Sequence, residues 1–395
     1  MTRRCHAYAS LAALAALAVV SCGGGPESDL PDPPPPPPPP PPPEWFVPEC
    51  EVVAGPPIAT YSPDAGITLR PNAESPDGDV QLSVPSIGVA SEHGGLLFAS
   101  NNATRVYVSS DAGCNWGLAY TRAGAIRGFA VTDRWGYVGI GSGEREIVRL
   151  GPAGVEAVHP LPFSINWLTS TPADPEAVYA VSSSLSNTRQ IWSSHDLGAS
   201  WLELGNIGST PGSIQQLAIS PTDMLHFVAT GSGELALSFD GGRNWSESTG
   251  ILKDAFSTST HHVVFGGDRD VTDIWVSGLR RWRDEEGRIE RDERFIARST
   301  DLGLSFTDVV TADDGIALAG GTKLATRPGI AGEVLFTSPN CPSGKRTIYH
   351  YRASDNSVTA ITWEPGEAGR FGSLVFHPED PDVLYLGRDF TGSCE

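Results

Sequence analysis

An eight-residue motif recurs along the chain, and its repetition restricts the possible fold more than any other feature of the sequence. The motif has the form Ser-x-Asp-x-Gly-x-x-Trp, with Phe for Trp in the last of these copies: Ser109, Asp111, Gly113 and Trp116; Ser194, Asp196, Gly198 and Trp201; Ser238, Asp240, Gly242 and Trp245; and Ser299, Asp301, Gly303 and Phe306. We call it the Ser-Asp-Gly motif. Repetition of one short unit indicates an array of similar supersecondary units.

Three weaker copies complete the series. One consists of Ser62, Asp64, Gly66 and Leu69, one spans 150–157 and keeps only Gly154, and one spans 353–360 and keeps only Asp355. The positions equivalent to the motif aspartate then lie 41 to 61 residues apart. A four-stranded propeller blade occupies about 40 to 45 residues. The spacing therefore predicts an all-β fold, a single seven-bladed β-propeller.

The residue types of the motif suit a hairpin turn that follows a β-strand. Short Ser and Asp side chains accept hydrogen bonds from the N–H groups of a turn, Gly adopts positive φ, and an aromatic ring covers the apolar side of the hairpin. Strand-forming segments such as Val106-Tyr107-Val108 precede the motif. We therefore interpret the motif as structural and not as a catalytic site.

The two ends of the chain predict how the ring of blades closes. After Leu384-Tyr385-Leu386, which has the composition of a strand, nine residues remain, and these are too few for two more strands. We therefore expect the C-terminus to supply the first two strands of the closing blade. The N-terminal segment around Asp64 supplies the third and fourth, and this sharing removes a free sheet edge.

The first 21 residues have the three regions of an export signal. Arg3 and Arg4 precede an apolar stretch from Ala7 to Val20, which is too short to span a bilayer and is followed by small residues. The sequence through Cys22 resembles a bacterial lipoprotein signal, which predicts cleavage after residue 21 and acylation of Cys22. An ordinary secretory signal with a cysteine there by chance is the alternative. The resemblance implies a lipid-anchored protein of the bacterial cell envelope, in the outer membrane and facing the periplasm or the exterior.

Residues 22–44 are interpreted as a tether between the anchor and the propeller, which takes up 45–395. Three glycines follow Cys22, and an unbroken proline run extends from Pro33 to Pro43. At about 3.1 Å per residue this run forms a polyproline II rod about 34 Å long. The alternative is a docking sequence for a proline-recognition domain, but nothing in the sequence indicates a partner with such a domain.

The net charge of −20 restricts the partners. Such a chain lacks the general electrostatic attraction that holds a protein on nucleic acid or on an anionic lipid surface. We therefore expect contact with the membrane through the lipid anchor, an unknown protein or polysaccharide as ligand, and no nucleic acid.

Four cysteines remain once Cys5 leaves with the signal and Cys22 is acylated, namely Cys50, Cys114, Cys341 and Cys394. An exported protein lies in a compartment that permits disulfides. Cys50 and Cys394 flank the two halves of the closing blade, so we predict a disulfide between them and leave Cys114 and Cys341 unpaired.

No metal site or cofactor is expected. The chain has no Cys-x-x-Cys spacing and no paired Cys/His spacing. His261 and His262 are neighbours on a predicted strand, where adjacent side chains point to opposite faces, so they do not form a joint metal site.

One blade is longer than the others, and the excess lies between Arg280 and Arg294. This segment carries six arginines and six acidic residues, with Trp282 among them. We favour a solvated hairpin whose charges compensate each other. The alternative is a projection that binds a partner, because Arg and Trp are enriched at interfaces.

The motif and its spacing resemble the Asp-box (BNR) repeat family, over nearly all of residues 57–390. Its members include sialidases, sortilin-type receptors, xyloglucan hydrolases and proteins similar to photosystem assembly factors. In that family the box closes the hairpin between the third and fourth strands of a blade, away from the axis where ligands bind. The resemblance implies an architecture and does not specify an activity.

The enzymes of that family require residues that this sequence does not provide in recognisable form. A sialidase needs three arginines, a Tyr–Glu pair and an acid/base Asp, and its early arginine lies in a Phe/Tyr-Arg-Ile-Pro phrase. The nearest string here is Leu69-Arg70-Pro71-Asn72, which lacks the Ile and follows a motif. Xyloglucan hydrolases place catalytic aspartates between two propellers, and one is predicted here. We therefore expect a non-enzymatic binding module without catalytic residues, with a sialidase-like or other glycoside hydrolase as the alternative.

Overall fold

A computed structural model describes residues 50–389 apart from the following positions: 54, 57, 64–65, 70–85, 91–94, 102–103, 123–125, 142–144, 184–188, 209–213, 268–271, 319–321, 340–345, 364–369 and 379. Within this part the chain forms 28 β-strands and one 3-10 helix, Ala312–Asp314. No helix in the described residues is long and apolar enough to cross a bilayer.

The strands form seven antiparallel sheets of four strands each, arranged as the blades of a propeller. Strands β1 (Ile58–Ser62) and β2 (Gly66–Leu69) come first in the chain. The first blade contains β3 (Ser86–Val89), β4 (Leu97–Ser100), β5 (Arg105–Ser109) and β6 (Gly117–Thr121), and the second contains β7 (Ile126–Val131), β8 (Gly136–Ile140), β9 (Glu146–Gly151) and β10 (Gly154–Pro160). The third contains β11 (Ile165–Thr171), β12 (Asp174–Ser183), β13 (Arg189–Ser194) and β14 (Leu202–Asn206), and the fourth contains β15 (Ile214–Ile219), β16 (Phe227–Gly231), β17 (Ala236–Ser238) and β18 (Ser246–Glu247).

The last three blades complete the ring. The fifth contains β19 (Ser257–Gly267), β20 (Thr272–Arg283), β21 (Ile289–Ser299) and β22 (Thr307–Val310), and the sixth contains β23 (Leu324–Ala325), β24 (Glu333–Pro339), β25 (Arg346–Arg352) and β26 (Ser357–Trp363). The closing blade joins β27 (Arg370–Phe376) and β28 (Val383–Asp389) to β1 and β2. Ala59 of β1 lies opposite Leu384 of β28. The predicted seven blades and the predicted closing blade are both confirmed.

Antiparallel order gives the propeller two distinct ends. Successive strands of a blade run in opposite directions, so the turns between strands one and two and between strands three and four share one end. The turns between strands two and three, and the connections to the next blade, lie at the opposite end. Every Ser-Asp-Gly motif joins strands three and four. We therefore call the end that carries the turns between strands three and four the motif end, and the opposite end the open end.

The motif side chains close their turns by a fixed hydrogen-bond pattern. In the first blade the Ser109 hydroxyl donates to the Asp111 carboxylate over 2.8 Å and accepts from the Gly113 N–H over 2.9 Å. Asp111 also accepts from the Asn115 N–H, and the indole of Trp116 donates to the Gly113 carbonyl. The Ser and Asp bonds recur in the copies of the third, fourth and fifth blades. Asp64 of the N-terminal copy lies outside the described residues.

Each motif turn packs against the preceding blade. Gly113 has a φ of 91°, and a Cβ at this position would lie 3.2 Å from side-chain atoms of Ile58 and Tyr385 in the closing blade. Gly303 approaches Leu237 of the fourth blade in the same way, because a Cβ at position 303 would lie 3.0 Å from the Leu237 side chain. Glycine is therefore required both for the left-handed backbone and for the close approach between blades.

The hydrophobic core lies between neighbouring blades. Leu235 and Leu237 of the fourth blade, for example, pack against Ile274, Val276 and Phe295 of the fifth. Apolar side chains thus alternate between the two faces of each blade, since each face meets a neighbour.

The predicted Cys50–Cys394 disulfide is wrong, because Cys50 is bonded to Cys114. The prediction that Cys114 is unpaired is wrong for the same reason, whereas Cys341 and Cys394 lie outside the described residues. The cause is the packing of the first motif turn on the closing blade. There the segment before β1 runs beside Trp116, so closely that a Cβ at Gly55 would lie 2.3 Å from its ring.

We expect Cys114→Ser to lower the free energy of unfolding by about 4 kcal/mol, because the bond closes a loop over a sequence separation of 64 residues. Urea denaturation measures this loss, and mass mapping of a non-reduced digest identifies the linked peptides. A peptide that links Cys50 to Cys394 would contradict the assignment.

The motif carboxylates give stability a dependence on pH. Hydrogen bonds from Ser200 lower the pKa of Asp196 to about 2, and those from Asn244 lower the pKa of Asp240 to about 2. A pKa depressed in the folded state stabilises the fold above the unfolded value of about 3.9, and this contribution is lost as the pH falls through the folded value. We expect the stability difference between wild type and Asp196→Asn to shrink between pH 4 and about 2. Denaturation at several pH values measures it, and a difference that stays constant between pH 4 and about 2 would contradict it.

Candidate functional site

The candidate site is a ring of polar side chains where the axis of the propeller opens at its open end. Five of the seven innermost strands carry a β-bulge in their first half, with one extra residue opposite the second strand. The extra residues are Arg127, Asn166, Gln215, His261 and Gly372. Bulges of this kind re-aim a side chain and are frequent next to binding sites.

We call Arg127, Asn166, Gln215 and His261 the bulge ring. The first three are exposed, and His261 is half-buried. Because the innermost strand of every blade starts at the open end, these side chains surround the same opening. The ring offers amide groups, an imidazole and one guanidinium, and it includes no carboxylate.

Hydrogen bonds between blades hold the inner strands below the ring. The amide of Gln216 donates to the Val263 carbonyl over 3.0 Å and accepts from its N–H over 2.9 Å. The Ser170 hydroxyl donates to the Val131 carbonyl over 2.5 Å, and that of Thr326 donates to the Phe265 carbonyl over 2.6 Å. The strands that present the ring are therefore fixed relative to each other.

The two adjacent histidines have different surroundings. Nδ1 of His262 accepts from the Leu324 N–H over 3.2 Å, and burial lowers the pKa of His262 to about 3. Burial, followed by the positive charges of Arg294 and Lys323, lowers the pKa of His261. Both imidazoles are therefore neutral at pH 7. Among the described residues no group of three His, Cys, Asp or Glu side chains is placed to hold a metal ion.

The described side chains of the inner strands do not bring the catalytic residues of a glycosidase to the propeller axis. Of the inner-strand side chains that the structure describes, one is an arginine, Arg127, and none is a tyrosine or a carboxylate. A sialidase needs three arginines there, and glycoside hydrolysis generally uses two carboxylates. Arg70 and its neighbours lie outside the described residues.

The long segment of the fifth blade is a hairpin that projects at the open end. Its base is a buried ion pair: the fully buried Arg280 donates two hydrogen bonds to Asp308, over 2.8 and 2.9 Å, and a third to the Ile251 carbonyl. The guanidinium also stacks 3.7 Å above the ring of Phe295. Two hydrogen bonds to one carboxylate fix the orientation of the arginine.

Most charges of the hairpin are compensated within it. Arg281 pairs with Asp292 over 3.4 Å, and Arg288 pairs with Asp284 and Glu286 over 2.8 and 2.9 Å. This agrees with the prediction of a solvated hairpin with compensating charges, whereas the burial of Arg280 does not follow from it.

Sequence reasoning missed the bulge ring and the Arg280–Asp308 pair. The ring had a signal in the sequence, because Ile126, Ile165 and Ile214 are each followed directly by a polar residue that interrupts the start of an inner strand. The ion pair had none, since Arg280 stands among charged residues that are exposed.

The comparisons with known proteins support the fold. No protein-family profile matches the chain. The chain is similar to the dispase autolysis-inducing protein of Streptomyces mobaraensis, with 27% identity over 366 residues that cover 87% of this chain and 90% of that protein.

Several solved structures share the architecture. The GH74 xyloglucanase from Xanthomonas campestris matches 77% of this chain with a TM-score of 0.58 and 16% identity, and the chain spans 50% of that enzyme's length. The YCF48 protein bound to a D1 peptide matches 78% of this chain and 91% of its own, with a TM-score of 0.53 and 14% identity. Hydrazine synthase of Kuenenia stuttgartiensis matches 79% of this chain and 95% of its own, with a TM-score of 0.51 and 14% identity. At these identities the likeness shows the fold alone, so the chain is a seven-bladed β-propeller.

The contribution of the buried Arg280–Asp308 ion pair to stability can be measured directly. We expect Asp308→Ala to lower the free energy of unfolding by about 3 to 5 kcal/mol, because it leaves a buried guanidinium without its carboxylate. The matched control, Asp292→Ala, breaks the exposed pair with Arg281 and should cost about 0 to 1 kcal/mol. Urea denaturation measures both, and equal losses in the two variants would contradict a buried ion pair.

Proposed function

We propose that this chain is a lipid-anchored propeller of the Asp-box family that binds a protein partner through its open end. The observation that carries the proposal is that the bulge ring and the projecting hairpin both lie at that end. The hydrogen-bond pattern of the four motif turns supports the family assignment.

The anchor rests on the sequence, since the signal over 1–21, the acylated Cys22 and the tether over 22–44 lie outside the described residues. The choice of the open end as the binding end rests instead on the bulge ring and the hairpin, which the described residues contain.

A protein is the class of partner that we favour over a polysaccharide. The name of the Streptomyces mobaraensis protein states that it induces autolysis of dispase, which is an effect on another protein. YCF48 was solved with a peptide of D1. The likeness to xyloglucanases concerns the fold alone, and the described inner strands bring no pair of carboxylates to the axis. A glycoside hydrolase therefore remains the weaker alternative.

Photocrosslinking in intact cells tests whether the partner binds the open end. We expect a benzophenone amino acid at Gln215, in the bulge ring, to give one discrete protein adduct, because the partner covers the open end. The matched control is the same probe at Leu202, which is 63% exposed and starts β14 at the motif end. It should give no such adduct. Adducts from Leu202 alone, or none from either position, would count against the proposal.

A further inference from the structure

The outer part of the projecting hairpin carries an exposed group of two apolar side chains and an arginine. We call Phe256, Arg283 and Ile289 the hairpin platform. Trp282 and Arg291 form a second pair, and because Trp282 and Arg283 are adjacent on β20, this pair lies on the opposite face of the hairpin. Trp282 lies opposite Arg291, and Arg283 lies opposite Ile289, in the pairing of β20 with β21. Phe256 and Ile289 are 60% and 59% exposed, and Trp282 is half-buried. Large apolar side chains grouped in this way on a surface mark interaction sites.

Two guanidiniums of the hairpin stack on aromatic rings. Arg283 lies 3.9 Å above the ring of Phe256, and Arg291 lies 4.7 Å above the ring of Trp282. Such stacking is a cation–π attraction that holds the arginines in place while their N–H groups stay available at the edge. The platform therefore offers fixed hydrogen-bond donors beside apolar surface.

The base beneath the platform is rigid. Arg280 is fully buried and held by Asp308 and Phe295. The preceding loop is held by Glu234, whose carboxylate accepts from the N–H groups of Ile251 and Leu252 over 3.2 and 2.7 Å. A surface that is ordered before binding loses less conformational entropy when a partner docks.

The charge of the platform is positive in a chain of net charge −20. Arg291 shares the carboxylate of Glu293. Arg283, in contrast, has no carboxylate within ion-pair distance among the described residues, although it is exposed. It is therefore the arginine of the platform that can receive a carboxylate from outside.

We propose that the hairpin platform is the docking surface for the protein partner, and that this partner presents a carboxylate beside an apolar side chain. This rests on the proposed function, because it specifies the contact by which the open end binds. Arg283 binds the carboxylate, while Ile289 and the ring of Phe256 cover the apolar side chain. Arg is among the residues that most often dominate protein interfaces.

The same geometry disfavours a glycan on this surface. Sugar rings stack on open aromatic faces, whereas a guanidinium covers a face of Phe256, the aromatic ring of the platform. We therefore expect no carbohydrate binding on the platform.

The test measures binding of two fluorescein-labelled peptides to the full chain in detergent by fluorescence anisotropy. One peptide carries Glu-Leu pairs separated by Gly-Ser, and the other has Gln in place of Glu. We expect the Glu peptide to bind roughly five- to tenfold more tightly than the Gln peptide, and Arg283→Gln to abolish this difference. Ile289→Ser should weaken both peptides, because it removes apolar contact.

The control is Arg288→Gln, at the tip of the same hairpin, where Arg288 is 74% exposed and already pairs with Asp284 and Glu286. It should bind both peptides like wild type, and thermal melting verifies that every variant is folded. Equal binding of the two peptides by wild type, or equal loss in Arg288→Gln and Arg283→Gln, would overturn the proposal. Displacement of the Glu peptide by xyloglucan oligosaccharide would instead identify a glycan surface and also overturn it.

The two proposals fail separately. A protein adduct from Gln215 without discrimination between the peptides would leave the proposed function intact and reject the platform. Peptide discrimination that depends on Arg283, without any protein adduct in cells, would support the platform and reject the proposed function.

Discussion

The pairing of β1 with β28 is the interaction on which the rest of the structure depends. It joins the two ends of the chain within one sheet. The edges of β1 and β28 that face each other are therefore paired, and the closing blade is a complete four-stranded sheet. Tyr61, Leu384 and Leu386 pack together across this seam with side chains of the sixth blade. The Cys50–Cys114 bond extends the closure to the first blade. The circle of seven blades closes through this blade, and the opening that the bulge ring surrounds depends on that closure.

Where the Ser-Asp-Gly motif is degraded, buried polar groups connect the blades. The sixth blade keeps only Asp355 of its motif, and at its interface with the fifth blade the N–H of Gly332 donates to the buried carboxylate of Asp273, which also pairs with Arg298 over 2.7 Å. At its other interface Tyr61 hydrogen-bonds His350 over 2.7 Å, and His350 contacts Glu333 over 3.1 Å. Burial raises the pKa of Tyr61, so the phenol stays protonated. Such networks stabilise an interface only when their members are paired, and here they are.

The sequence predicts the fold well because its information is local and repeated. A turn that needs Ser, Asp and Gly at fixed positions leaves the same pattern in each blade, and the spacing of the patterns gives the number of blades. The disulfide was predicted wrongly because position along the chain does not give the end of the blade at which a residue lies. Cys50 lies at the motif end, beside the turn that holds Cys114. The bulge ring depends on strand register and Arg280 on burial, and neither is determined by local residue type.

The central claim is that the open end binds a protein and the motif end does not. Hydrogen–deuterium exchange of the full chain, alone and with the protein recovered from the Gln215 adduct, tests it most directly. We expect slower exchange at 282–291 and at the starts of the inner strands near Arg127, Asn166 and Gln215, with unchanged exchange in the motif turns. Slower exchange at 109–116, 194–201 and 238–245, with none at the open end, would contradict it.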